Sequence, residues 1–187
     1  MKLQLLSDLH LENYPGFQAV PAPGADLLLL AGDIGSYQEG SKLTEPDFGL
    51  TRFSPRHGWP TPVFFLPGNH EYDNGDFDEL HLRLRDLCES LGMTWLEREV
   101  VVHQGVRFVG TTLWADFDAL VEPGDPLELA LKKRGKAFRA ANFYLETMRT
   151  TRGGQPFLAE QVREQPLLCQ AWLREALAVP FDGTTVA

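Results

Sequence analysis

Two cysteines in 187 residues, Cys88 and Cys169, are too few and too far apart for a disulfide framework or a Cys-x-x-Cys metal clip. Both read as free thiols buried or half-buried in the interior. Long apolar runs are also missing. The longest, Leu27 to Ala31, falls far short of the roughly 20 residues a membrane-spanning helix needs. The N-terminus, MKLQLLSDLHLE, has an acidic residue by position 8 and no cleavage-site pattern, so no secretory leader is expected. A reducing, cytoplasmic setting without a membrane partner is the expectation that follows. Positive charge is scarce too: 17 Lys and Arg against 26 Asp and Glu leave a formal net charge of −9. That balance disfavours nucleic acid as a partner, because a polyanion is repelled at long range. It does not exclude a phosphorylated small molecule, since bound cations invert the local field. Repeats and low-complexity segments are absent.

What is present suits one domain spanning residues 1–187, with 43% apolar and 23% charged residues. Lys2–Ser7, Asp26–Ala31 and Thr61–Leu66 read as short strands, the latter two as continuous apolar runs typical of strands buried on both faces. Each delivers polar residues just past its C-terminal end, where open α/β sheets place ligands. Between the second and third strands, Ser36–Pro60 reads as part helix, part long loop. Its Arg52, Arg56, His57 and Trp59 suggest either a cap over a site or a mobile surface loop. Phe77, Leu80, Leu84, Leu87 and Leu91 recur at helical spacing over Asp76–Leu91, and Gly92 supplies a stop. His81 falls off that stripe and is expected to be exposed. Glu99–His103 and Val106–Gly110 flank Gln104-Gly105 as a hairpin, with His103 a surface strand residue. Helices are expected over Leu127–Arg149 and Pro156–Leu177, then a strand from Thr184. Lys132, Lys133, Arg134, Lys136 and Arg139 form a basic cluster, read as a solvated helix face before a clamp for an acidic substrate.

Three strand-following loops carry Asp8-x-His10, Gly32-Asp33 and Gly68-Asn69-His70-Glu71. Singly each is weak: Asp-x-His occurs by chance, and Gly-Asp marks any turn. Together they bring carboxylate, amide and imidazole donors to one sheet edge, a donor set suited to a divalent metal of intermediate softness. Asp8 and His10 can turn toward one ion, Asp33 has two oxygens with which to bridge two, and Asn69 offers a neutral carbonyl. Glycines at 32 and 68 allow close backbone approach or positive φ.

These segments, SDLHLE, LAGDIG and LPGNHEY, resemble the first three sequence blocks of the calcineurin-like metallophosphoesterases, and GTTLWADF resembles a bacterial predicted-phosphohydrolase branch of that superfamily. The resemblance implies an α/β/β/α sandwich, two mixed sheets flanked by helices. It implies a metal-dependent phosphatase or phosphodiesterase acting on a small phosphoester by in-line attack of a metal-activated hydroxide. Asp8, His10, Asp33 and Asn69 match its metal ligands, and His70 its substrate-facing catalytic histidine, aided by an orienting carboxylate. Manganese is the expected metal, with iron or zinc as alternatives. Substrate-contacting residues are not assigned, though Tyr72, Trp114 and Asp116 lie just past strand ends.

The family's later blocks, a histidine after a further strand and a Gly-His-x-His loop, have no counterpart here. No histidine follows His103. The first ion then keeps three ligands and the second two, so one well-held metal is expected. The sandwich is expected to lack its last strands and to self-associate through unpaired edges. The alternative function is a catalytically impaired metal-binding remnant serving as an interaction or regulatory module.

Overall fold

A computed structural model describes residues 1–187. Its first sheet is parallel throughout, in the order β1 (Leu3–Leu6), β2 (Leu27–Ala31), β3 (Val63–Leu66) and β4 (Thr94–Trp95). Side chains on its central strands alternate between two apolar environments. Leu28, Leu30, Val63 and Phe65 enter the main core, whereas Leu27 and Phe64 enter a smaller cluster on the opposite face. Burial on both faces is why these strands read as unbroken apolar runs.

Helix α1 (Phe77–Leu91) closes the main core with Leu84, Cys88 and Leu91. Asp76 caps it by accepting the Asp78 N–H at 3.1 Å, and Gly92 ends it at φ 72°. The second sheet faces the smaller cluster: β5 (Glu99–His103) runs antiparallel to β6 (Val106–Gly110), which pairs in parallel with β9 (Thr184–Val186). Gln104 and Gly105 turn the hairpin at φ 48° and 76°, the paired positive values a two-residue turn requires. Between β6 and β9 lie α2 (Leu127–Met148), the short pair β7 (Thr151–Arg152) and β8 (Gln155–Pro156), α3 (Ala159–Val162) and α4 (Glu164–Ala178). A parallel sheet and a second sheet flanked by helices is the expected α/β architecture. No helix is long and apolar enough to cross a membrane.

Several local expectations change. Ser36–Pro60 is part helix and part loop as expected, but it packs into the interior instead of lying on the surface. It carries two 3₁₀ turns, Leu50–Phe53 and Pro55–His57, and buries Phe48, Leu50 and Phe53 in the main core. Arg52 pins it by donating to the Pro15 carbonyl at 2.7 Å. The single helix expected over Pro156–Leu177 splits at Arg163, because Pro166 has no N–H to continue a run from α3 and sits in the first turn of α4. His81 is half-buried, its Nδ1 2.9 Å from the Tyr72 hydroxyl and its ring edge-on to Trp95. His103 also turns inward, edge-on to Phe64, with Nε2 buried and unpartnered.

Candidate metal centre and active site

β1, β2 and β3 are parallel neighbours, so the loops leaving their C-terminal ends emerge side by side. Asp8, His10 and Asp33 all adopt left-handed backbone, at φ 52°, 45° and 52°. For non-glycine residues this costs roughly 1–2 kcal/mol each and persists only where surrounding structure enforces it. The enforcement is visible. The Asp8 and His10 N–H groups donate to the carbonyls of Gly32 and Asp33, both at 3.1 Å. The loops after β2 and β3 touch backbone to backbone, since a Cβ on Gly32 would lie 2.5 Å from the Gly68 nitrogen. Glu71, fully buried, staples them: its carboxylate accepts N–H groups from Asp33 at 3.0 Å, Ile34 at 2.6 Å and Gly68 at 2.7 Å. Burial, reinforced by the nearby Asp33 charge, pushes the Glu71 carboxyl up to about 7.

Donor atoms of His10, Asp33 and His70 lie within 4.8 Å of one another. Each imidazole has one nitrogen committed to a buried carboxylate. His10 Nδ1 is 2.9 Å from Glu12 Oε1, and Glu12 also accepts the Ser36 N–H. His70 Nδ1 is 2.7 Å from Asp73 Oδ2, which accepts the Ser36 hydroxyl as well. These partners leave both Nε2 atoms for the site, the usual way outer carboxylates orient metal-binding or catalytic histidines. The Asp73 hydrogen bond holds His70 up at about 9, against the opposing effect of burial. Asp33 Oδ1 accepts the His70 N–H at 3.0 Å.

Asp8 and Asn69 are exposed and stand outside this close trio, and with Asp33 they line one cavity. The cavity encloses about 960 Å³. From the Asp8–Asp33–Asn69 end it runs between the sheets, past Leu29, Leu66, Phe108 and Val109 to Val186. Ala141, Tyr144 and Leu145 of α2 wall it together with Trp114 and Phe117. Tyr144 Oη lies 3.2 Å from His70 Nε2.

Three residues of this site went unassigned in the sequence reading: Glu12, Asp73 and Tyr144. Glu12 and Asp73 sit two and three positions after the histidines they orient, so a search for acids closely following each candidate histidine would have found them. Nothing local to α2 singles out Tyr144. Of the residues past strand ends, Tyr72 is core, stacked on Phe77 at 4.3 Å, and does not line the cavity. Trp114 both lines it and packs on Tyr72. Asp116 caps its own loop by accepting the Asp118 N–H.

A family model described as calcineurin-like phosphoesterase matches residues 1–175. The chain belongs to that family. A curated relative, an uncharacterized protein of Acanthamoeba polyphaga mimivirus, is 26% identical over 132 residues, covering 61% of this chain and 44% of its own length. Among solved structures, the phosphopantetheinyl hydrolase of Mycobacterium tuberculosis superposes with a TM-score of 0.59 at 20% identity, covering 98% of this chain and 66% of its own. At that identity the superposition speaks to fold. The chain thus spans about half of the first relative and just under two thirds of the second.

Proposed function

We propose that this calcineurin-like phosphoesterase chain hydrolyses a small phosphoester with a divalent metal held at the ends of β1, β2 and β3. One observation carries the reading: His10, Asp33 and His70, in the segments that follow three adjacent parallel strands, bring donor atoms within 4.8 Å of one another. Mixed imidazole and carboxylate donors fit manganese first, with iron or zinc as alternatives. Asp8, His10 and Asp33 would hold one ion, and Asp33 with Asn69 a weaker second. When bound, such an ion supplies charge that neutralises phosphoryl oxygens and activates water.

The chain's own residues do the rest. Glu12 and Asp73 fix the ring planes of His10 and His70. The hydrogen bond to Asp73 raises the His70 pKa and so favours its protonated form in the metal-free chain. The His70 Nε2 is free of Asp73 and meets the Tyr144 hydroxyl at 3.2 Å, and from there it stabilises a phosphoryl oxygen or gives its proton to the leaving oxygen. Hydrolysis of a bis-nitrophenyl phosphodiester with added manganese is the test. Asp33→Ala and His70→Ala should each lower the rate at least about a hundredfold, the scale of a lost acid or electrostatic contact. Activity untouched by both substitutions would sink the reading.

The second reading is a metal-binding interaction module without turnover, favoured by the length of the apolar cavity between the sheets. It predicts manganese binding equal to that of an enzyme and no hydrolysis.

A further inference from the structure

Helix α2 has no fully buried residue, yet it is held firmly against the site. The Met148 carbonyl at its C-terminal end accepts the Asn74 N–H at 2.8 Å, one residue beyond Asp73. Asn142 Oδ1 accepts the Ala159 N–H at 2.8 Å, tying the helix to α3. Two anchors therefore flank Tyr144 on either side along the helix. Its hydroxyl has one polar neighbour, His70 Nε2 at 3.2 Å, and its ring stands edge-on to the imidazole with centroids 6.4 Å apart. His70 Nδ1 is already committed to Asp73, so Nε2 is the nitrogen left for chemistry, and Tyr144 meets that nitrogen.

A phenol hydroxyl both donates and accepts. It can accept from an imidazolium N–H and donate its own proton onward at the same time. Tyr144 also lines the cavity shared by Asp8, Asp33 and Asn69, next to Leu145 and Phe117. We propose that Tyr144 is a substrate-binding residue, donating a hydrogen bond to a phosphoryl oxygen of an ester seated over the His10, Asp33 and His70 donors. The inference rests on the phosphoesterase reading above and adds a residue to it. Leu145, Phe117 and Trp114 line the same cavity as Tyr144, so the ester group beyond phosphorus meets carbon on the α2 side.

Tyr144→Phe removes the hydroxyl and keeps the ring that packs on His70. In manganese-loaded protein, inorganic phosphate should bind roughly tenfold more weakly to Tyr144→Phe, the size of one hydrogen bond to a charged group. KM for the nitrophenyl diester should rise by a similar factor, with kcat changed less and the melting temperature unchanged. In protein loaded with diamagnetic zinc in place of manganese, phosphate should also shift the His70 imidazole NMR signals of the wild type more than those of the variant. Tyr144→Met, equally without a hydroxyl, should reproduce the loss if Tyr144→Phe melts abnormally. Unchanged phosphate affinity and KM in both variants, with Asp33→Ala inactive, would overturn the role of Tyr144 and leave the phosphoesterase reading standing. A wild-type protein that binds phosphate no better than Asp33→Ala would overturn both.

Discussion

The left-handed backbone at Asp8, His10 and Asp33 identifies residues whose side chains matter more than their conformational comfort. At Asp8 the two can be separated, because glycine adopts φ 52° without the Cβ penalty that alanine bears. Asp8→Gly should be more stable than Asp8→Ala by about 1 kcal/mol in metal-free protein, measured by urea unfolding, while both lose manganese affinity. Equal stabilities would mean the loop relaxes out of the left-handed region. His70 offers a second residue-scale test. Its pKa is raised from 6.5 to about 9, chiefly by the Asp73 hydrogen bond, so folding is favoured by its protonation. That stability is fully present below pH 6.5 and is lost as pH rises through about 9. In metal-free protein the melting temperature should therefore fall across that window. Asp73→Asn should flatten the fall, and the His70 titration followed by NMR should move toward 6.5. A His70 titration unmoved by Asp73→Asn would refute the assignment.

At the scale of elements, what fixes the site is the contact between loops. Glu71 accepts three backbone N–H groups from the loops after β2 and β3. Glutamine in its place would offer one acceptor oxygen, and its amide would point hydrogens at an N–H donor. With the amide oxygen in the Oε2 position the Asp33 and Gly68 N–H groups keep their acceptor and the Ile34 N–H loses its own, so Glu71→Gln should cost roughly 1–3 kcal/mol of stability and weaken manganese binding as the loops part. Denaturant unfolding and a metal titration check the two effects separately; a variant as stable as wild type would show that the staple is dispensable. Elements also explain what the sequence could and could not disclose. β2, β3 and α1 were legible because their periodicity records how many faces they bury. The motif residues were legible because each loop follows a strand and so shares an edge with the others. Ser36–Pro60 was not, since its apolar residues are spaced for no regular element and are buried by long-range packing of Phe48 and Phe53. Tyr144 was illegible for the same reason at longer range: 74 residues separate it from His70. Asp73 was within reach, three positions past His70, but only the 3₁₀ turn His70–Tyr72 shows that the two side chains meet.

On the scale of the whole molecule, we propose that residues 1–187 unfold as one unit, because the parallel sheet contributes to both apolar clusters. A single thermal transition, with superimposable curves from far- and near-UV circular dichroism, is the expected outcome. Two separated transitions would mean that the second sheet melts apart from the first. The same sheet gives the site its character, since one fold places three strand ends in register and lets a compact group of donors form on an otherwise ordinary acidic protein. These donors are proposed to hold a metal. Manganese titration of the purified chain, read by electron paramagnetic resonance, tests this most directly. One tightly held ion per chain is expected, with affinity reduced at least about tenfold in both Asp33→Ala and His10→Ala, as for loss of a ligand or its support. Binding that is absent from the wild type, or equal in wild type and both variants, would contradict it.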